Sequence, residues 1–282
     1  MEDILEIARK IESQGGKLYL VGGAVRGKLL NRKVKDEDYW VVGISSEQFK
    51  NLFPESFSRG KSFEVFDLAC SKPSIFFEVL KQAEILDVHF KEIHDLIGAL
   101  QPEKYHPEGD SFNHTMLVVN KSAELTEDLE IRFSALVHDL GKGLTPKEEY
   151  PHHYGHEIKG VEVVETFGKK IKAPTRWIES GKIACREHMR GGIFYKMKPA
   201  KKVEFIERVA KSVIGLHGLQ VVVYSDKLSS RNVDEGSIDF ETIGKKCLEE
   251  INGKFIKEKY NVKQGIEFKN KLHQERIEWM KK

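Results

Sequence analysis

The chain opens with apolar positions at helical spacing. Ile4, Ile7, Ala8 and Ile11 fall on one face of residues 3–14, and Gly15-Gly16 ends the segment. A short apolar run, Lys17 to Val21 (KLYLV), leads into Gly22-Gly23 and predicts a buried strand entering a tight turn. Arg26 to Lys33 reads as a short helix, Asp38 to Val42 (DYWVV) as a second strand, Ser46 to Leu52 as a second helix and Phe63 to Ala69 (FEVFDLA) as a third strand. At Pro73 the period changes, because proline's missing N–H does no harm in a first helical turn. From there Val79, Leu80, Ile85, Leu86, Phe90, Ile93 and Ile97 keep helical spacing. The expected fold class is α+β: a small α/β head, about 70 residues long, on a mostly α-helical body. No internal repeat or low-complexity stretch interrupts it.

Composition narrows the function. In 282 residues, Lys+Arg number 46 against Asp+Glu 44, so the formal net charge is only +2. That is too weak a field to hold nucleic acid by bulk charge alone. A hydrophobic fraction of 40% with 32% charged residues suits a soluble globular protein with a core. No apolar run approaches bilayer length, and no membrane partner is expected. The acidic start Met1-Glu2-Asp3 is unlike a signal or transit peptide. Cys70, Cys185 and Cys247 are scattered and odd in number, which speaks against disulfides and thiolate zinc sites and for a cytoplasmic location. The oligomeric state is left open.

Histidine is the exception, since seven of the 11 lie between His106 and His188. The helix expected over Ile131 to Leu140 (IRFSALVHDL) is apolar on nearly every side, yet it carries His138-Asp139 near its end. Ionisable groups in a core helix are unfavourable unless paired or bound to metal. A lone pair of this kind is more often a cap or a satisfied core hydrogen bond, but this pair is not alone. His114 lies on an earlier helix, on the face of Leu117 and Val118. His152, His153 and His156 fall in a loop-like stretch, His188 in CREHM, and Asp226 ends the apolar segment VVVYSD. The order His…His-Asp…His…His…Asp gives a ligand set for two divalent ions that could share Asp139 as a bridge. A second adjacent pair, His94-Asp95, lacks the Gly-Lys-Gly that follows Asp139 and reads as a helix surface or cap pair. His89, His217 and His273 read as structural.

The strings HPEGDSFNHT (106–115), RFSALVHDLGKGLTP (132–146) and YPHHYGHEIKG (150–160) resemble the HD-superfamily metal-dependent phosphohydrolase domain. More narrowly, they resemble its form in bacterial multifunctional CCA-adding enzymes, tRNA nucleotidyltransferases with a C-terminal HD domain. The resemblance implies an enzyme that hydrolyses phosphate esters of nucleotides or RNA: 2′,3′-cyclic phosphodiesterase, 2′-nucleotidase or phosphatase chemistry. By position, His114, His138, Asp139 and Asp226 match the core HD ligands, and His156 and His188 match accessory histidines. The cofactor implied is a divalent ion such as Mn, Ni, Co, Fe or Mg. Lys142 is close enough in sequence to meet a phosphate as a point charge, or else is a solvated lysine past a helix end. His153, or His152, is expected on the leaving group or the phosphate. Together with His138 and Asp139, Lys142 and His153 make up the candidate catalytic set.

The pattern LVGGAVRG…KDEDYWVVG resembles the opening of the CCA-adding head. Gly22-Gly23 would let the backbone approach a triphosphate, with Arg26 on the same phosphates. Asp36 and Asp38, two apart on a strand, would share a face and could hold Mg²⁺, with Glu64 as a third carboxylate. The resemblance breaks in two places. Gly27 stands where the family has Asp. FEVFDLA leads almost directly into Lys72-Pro73-Ser74, without the section that carries the base-reading residues. The expected layout is a shortened nucleotidyltransferase-like head over 1–72, a helical neck over 73–100, the HD domain over 101–235 and a helical segment over 236–282.

Two other readings stand beside the hydrolase. One is a minimal nucleotidyltransferase that adds or repairs tRNA 3′ ends, favoured by Asp36 and Asp38. The other is a non-catalytic module for tRNA or a nucleotide. Lys169, Lys170, Lys172, Lys196, Lys198, Lys201 and Lys202 could track an RNA backbone, although such lysines are more often solvated helix faces.

Overall fold

The computed structural model describes residues 4–21, 25, 38–54, 68–229, 239–260, 262 and 265–282. Among these the protein is mostly helical, with a small sheet near the N-terminus. The chain divides into two compact units, Met1–Lys61 and Ser62–Lys282.

In the first unit, α1 (Ile4–Glu12) buries Ile11. The helix ends where expected. Gly15 has φ +80°, and the Gly16 N–H donates to Ile11 O (3.0 Å) while the Gly15 N–H donates to Glu12 O (2.9 Å). This glycine-closed end satisfies carbonyls that the helix itself leaves free. β1 (Lys17–Val21) pairs antiparallel with β2 (Asp38–Val42), setting Leu18 opposite Val41 and Tyr19 opposite Trp40. α2 (Ser46–Leu52) starts from a reciprocal cap between Ser45 and Gln48. Gly22, Gly23, Arg26, Asp36 and Glu64 lie outside the described residues, as does most of FEVFDLA. Of Asp38 only the backbone, opposite Val21, is described. Leu68 and Ala69, expected to finish a third strand, form a turn.

The second unit begins with α3 (Ser74–Gln82), entered through Pro73 as the sequence predicts, and two single-turn helices, α4 (Leu86–His89) and α5 (Lys91–His94). Five longer helices carry the chemistry or brace it: α6 (Ser111–Leu125), α7 (Leu129–Val137), α8 (His156–Lys170), α9 (Thr175–Gly192) and α11 (Gly215–Leu228), with α10 (Pro199–Ala210) between the last two. Three more follow: α12 (Phe240–Glu250), α13 (Gly253–Tyr260) and α14 (Ile266–Met280). One apolar cluster joins Val118, Ala135, Ala184, Phe205, Val222 and Phe240, with Met280 packed against it. The rings of Phe194, Phe205 and Phe240 meet at centroid distances of 5.1 to 5.8 Å. The segments over 101–235 and 236–282 therefore share one core.

Arg132 ties residues 68–70 to the helices. It is buried, and its guanidinium donates to the carbonyls of Leu68 (2.6 Å), Cys70 (3.1 Å), Ala123 (3.1 Å) and Thr126 (2.7 Å). A cation at the C-terminal end of α6 meets carbonyls that lack helical partners and the negative end of the helix dipole. The same side chain ties the 68–70 turn to the helical unit.

Candidate metal centre

α7 is buried along nearly its whole length, from Glu130 to Val137. It ends at Val137, short of the Leu140 expected from the pattern, and a 3₁₀ turn follows over Leu140–Leu144. The His138 ring lies 2.7 Å from the Ala135 carbonyl, so a side chain takes an acceptor that the next helical N–H would have used. Gly141 lets the turn meet α8. A Cβ there would sit 2.1 Å from His156 O and 2.8 Å from the Gly160 backbone. This close approach brings the first residue of α8, His156, to Asp139.

Four imidazoles converge on Asp139 from α6, the end of α7, α8 and α9. Three are held alike. Nδ1 of His138 faces Ala135 O, Nδ1 of His156 faces His153 O (2.7 Å) and Nδ1 of His188 faces Cys185 O (2.8 Å). A carbonyl can only accept, so the ring proton sits on Nδ1 and the Nε2 lone pair turns inward. In the fourth, His114, Nδ1 bonds to Glu108 (2.8 Å). The Nε2 atoms of His156 and His188 lie 3.2 and 3.3 Å from Asp139 Oδ1, and that of His138 lies 3.2 Å from Oδ2. His114 Nε2 is 3.7 Å from Oδ2 and 3.1 Å from Asp226 Oδ1. The structure thus brings together His114, His138, Asp139, His156, His188 and Asp226. Asp226, with its side chain 17% exposed, is the member nearest solvent.

The donors fit a divalent ion on each side of Asp139. His114 Nε2, His138 Nε2 and Asp139 Oδ1 are buried atoms without a hydrogen-bond partner. Nε2 of His156 faces Nε2 of His188 at 3.4 Å, and two inward lone pairs at that distance repel unless a cation lies between them. His114, His138 and Asp139 form one three-ligand group, and Asp139, His156 and His188 form another. Nitrogen and carboxylate donors of this kind suit Mn, Fe, Co, Ni or Zn.

Burial disfavours the charged form of His114, but Asp226 and Glu108 beside its two ring nitrogens outweigh this and raise its pKa to about 9. Burial likewise opposes ionisation of Asp139, yet His138 and Lys142 hold its pKa well below the usual carboxylate range. Asp226 is depressed against its burial chiefly by His114.

Lys142 is neither a solvated lysine nor a free point charge. It is buried, with Nζ 2.6 Å from both Asp139 Oδ2 and Gln101 Oε1. His153 has both ring nitrogens engaged, Nδ1 with the Thr145 hydroxyl and Nε2 with Leu100 O, each at 2.9 Å. Burial lowers its pKa, which keeps the ring neutral and holds two loops together. His152 is exposed and stacks on Tyr154. His114 shares its buried face with Val118 but not with Leu117, which is 44% exposed. His94-Asp95 ends the single-turn α5, with Lys91 Nζ 2.6 Å from both Asp95 oxygens. His217 and His273 pair with Glu241 and Glu207. Lys169, Lys170 and Lys201 form ion pairs with Glu165, Glu92 and Glu204. Burial pushes the Cys185 thiol up to about 12, so it is no thiolate ligand.

Sequence reasoning missed Glu108 and Gln101. One Glu108 oxygen meets Nδ1 of both His106 (2.9 Å) and His114. Burial opposes its charge, but these two bonds bring its pKa down to about 2. Its only signal was its place in HPEGDSFNHT, one turn ahead of the helix that carries His114.

Two family models match the chain: a poly A polymerase head domain over residues 18–99 and an HD domain over residues 111–213. A multifunctional CCA protein of Mannheimia succiniciproducens is 40% identical over 142 residues, 49% of this chain and 34% of the relative. The same-named protein of Shewanella denitrificans is 40% identical over 141 residues, 50% of this chain and 34% of the relative. That of Shewanella frigidimarina is 42% identical over 121 residues, 43% of this chain and 29% of the relative. The chain spans about a third of the length of the curated relatives it matches. Residues 18–99 are thus similar to a poly A polymerase head domain, residues 111–213 to an HD domain, and about half of the chain to the multifunctional CCA proteins.

Proposed function

We propose that the second unit is a metal-dependent phosphohydrolase acting on nucleotide or RNA phosphate esters, with 2′,3′-cyclic and 2′-phosphates as the preferred class. The reading is carried by one observation: inward-facing Nε2 atoms of four histidines surround both oxygens of a buried, ionised Asp139. On one side His156, His188 and Asp139 Oδ1 would hold an ion; on the other, His114, His138, Asp226 and Asp139 Oδ2. A divalent ion in such a site makes water ionisable near neutral pH and offsets charge on the phosphoryl oxygens. The backbone carbonyls behind three of the rings and Glu108 behind the fourth fix their orientation, so no ring has to reorganise on binding. Lys142 screens Asp139 Oδ2 and keeps the carboxylate facing the rings. It reaches a phosphate only if it exchanges one of its two present partners.

The test is hydrolysis of 2′,3′-cyclic, 2′- and 3′-nucleotides by the full chain with Mn²⁺, Co²⁺, Ni²⁺ or Mg²⁺. Metal-dependent turnover that His138→Ala and Asp139→Ala both abolish supports the assignment. Turnover that survives in both variants contradicts it.

A second reading rests on the poly A polymerase head match over residues 18–99 and on the name of the relatives. In it, Gly22, Gly23 and Arg26 bind a nucleotide, Asp36, Asp38 and Glu64 hold Mg²⁺, and tRNA is the partner. Labelled CTP or ATP with tRNA lacking its 3′ end tests it: extension supports the reading, and no extension at high protein concentration removes it. Tight tRNA binding without turnover in either assay would favour a non-catalytic module instead.

A further inference from the structure

Of the six converging side chains, Asp226 is the one nearest solvent. The next residue, Lys227, lies across the end of α9. Gly192 makes room for it: a Cβ there would sit 3.2 Å from Lys227 Cε and 3.6 Å from its Nζ. Gly192 is the last residue of α9 and follows His188 by one helical turn, so it shares the face of that histidine. The end of α9 and the segment after it, 193–202, therefore flank the approach to the centre.

That flank is cationic. Arg186, Arg190, Lys196, Lys198, Lys201 and Lys202 fall within residues 186–202, with Glu187 as the one carboxylate among them. Glu187 is buried and held by Arg208 at 2.8 Å, so it does not offset the exposed charges. Lys201 pairs with Glu204, but among the described residues Arg186, Lys196, Lys198 and Lys202 form no ion pair. Lys169, Lys170 and Lys245, on other helices, are each tied to a carboxylate. With a net charge of +2 over the whole chain, this is a local concentration and not a share of a general excess. An aromatic ring is set among the cations. Tyr195 is 50% exposed, with Lys196 Nζ 5.4 Å from its ring centroid. Lys202 Nζ lies at the same distance from the buried ring of Phe194. Cations around an exposed ring match a single-stranded nucleic acid, whose phosphates meet the charges while a base stacks on the ring.

We propose that residues 186–202 hold the strand of a single-stranded RNA whose terminal phosphate ester sits at the centre. Arg190, Lys196, Lys198 and Lys202 meet backbone phosphates, and Tyr195 stacks a base. The proposal deepens the phosphohydrolase reading and rests on it for where the strand ends. It makes an RNA end, rather than a mononucleotide, the preferred substrate.

Binding tests it without requiring turnover. A 5′-labelled single-stranded RNA of about nine nucleotides is titrated with the full chain by fluorescence anisotropy over a range of salt. The triple variant Lys196→Ala, Lys198→Ala, Lys202→Ala is expected to bind at least about tenfold more weakly and to lower the salt slope by about 2. Tyr195→Ala is expected to weaken binding about tenfold. A control triple variant, Lys169→Ala, Lys170→Ala, Lys245→Ala, removes the same charge elsewhere and is expected to stay within about twofold of the wild type. Circular dichroism checks that each variant is folded. With Mn²⁺, the same RNA ending in a 2′,3′-cyclic phosphate is expected to exceed the 2′,3′-cyclic mononucleotide in kcat/KM by about tenfold or more, through KM. No RNA binding by the wild type at low salt overturns the proposal, and so does equal loss in the two triple variants or a kcat/KM indifferent to strand length. Binding to phosphatidylserine vesicles in place of RNA, lost in the Lys196, Lys198, Lys202 variant, would overturn it in favour of a membrane surface. RNA binding through these lysines with no metal-dependent hydrolysis of any ester would leave the surface standing and remove the hydrolase; hydrolysis of mononucleotides without RNA binding would do the reverse.

Discussion

The chain contains the dipeptide His-Asp twice, and the two copies have opposite surroundings. His94-Asp95 closes a single helical turn. Its side chains are 45% and 31% exposed, and Lys91 satisfies the carboxylate within the same turn. His138-Asp139 closes a buried helix, and its side chains are 0% and 1% exposed. Three more histidines, on three other helices, point at the second pair. The two residues alone therefore carry no chemistry. Burial raises the cost of an unpaired charge, and rings oriented from behind by acceptors turn that charge into a ligand set.

Replacing the two aspartates in parallel is the strongest way to break this comparison. Asp139→Asn is expected to lose bound metal and reduce hydrolysis at least about a thousandfold, and to lose roughly 3–5 kcal/mol of stability by leaving the Lys142 charge buried without its counter-ion. Asp95→Asn is expected to change stability by less than about 0.5 kcal/mol and to leave metal content intact. Elemental analysis and urea unfolding measure both. Equal behaviour of the two variants would erase the distinction.

The glycines that follow each pair give the next largest effect. Gly141→Ala drives a methyl group to 2.1 Å from His156 O, so α8 must move away from Asp139. About 3 kcal/mol of destabilisation and weakened metal binding are expected. Gly98→Ala, past the exposed pair, meets open space and only the strain of φ +74°. About 1 kcal/mol is expected, with no effect on metal. Thermal melts with and without added Mn²⁺ separate the two.

Glu108→Gln acts behind a ligand rather than on one. The fold is expected to persist, because Gln retains an oxygen for the His114 Nδ1–H, while metal affinity falls about 10- to 100-fold. Competition with a fluorescent chelator reads the affinity, and an unchanged value would remove Glu108 from the account.

The mildest lever is pH. In the metal-free chain the His114 pKa is raised from 6.5 to about 9. Its contribution to stability is therefore fully present below about 6.5 and is lost as pH rises through 9. Metal must displace the same proton, so apparent affinity is expected to rise by about tenfold per unit between pH 7 and 8. Melting the apo chain across that window and titrating metal at each pH test both signs. A flat affinity would mean that His114 is not a ligand.

Much of this was legible in the residues. The helical period after Pro73 and the glycine stop at Gly15-Gly16 follow from local rules, and so do the strands over 17–21 and 38–42. The order of histidines and aspartates brought the six converging side chains forward before any geometry. Local rules could not reveal what is set by contacts distant in sequence. Lys142 meets Gln101, 41 residues away, and Arg132 reaches Leu68, 64 residues away. His153 was expected at the substrate but spans two loops through Thr145 and Leu100. A polar residue in a loop reads alike from sequence whether it faces a phosphate or another loop's carbonyl.

In the proposed centre Asp139 would stand between two ions held by four histidines. Anomalous diffraction from crystals of the full chain soaked in Mn²⁺ tests it most directly. A peak is expected on each side of the Asp139 carboxylate, one within coordination distance of Nε2 of His156 and His188 and the other of Nε2 of His114 and His138. Anomalous peaks elsewhere, with those rings still hydrogen-bonded and no density between them, would contradict it.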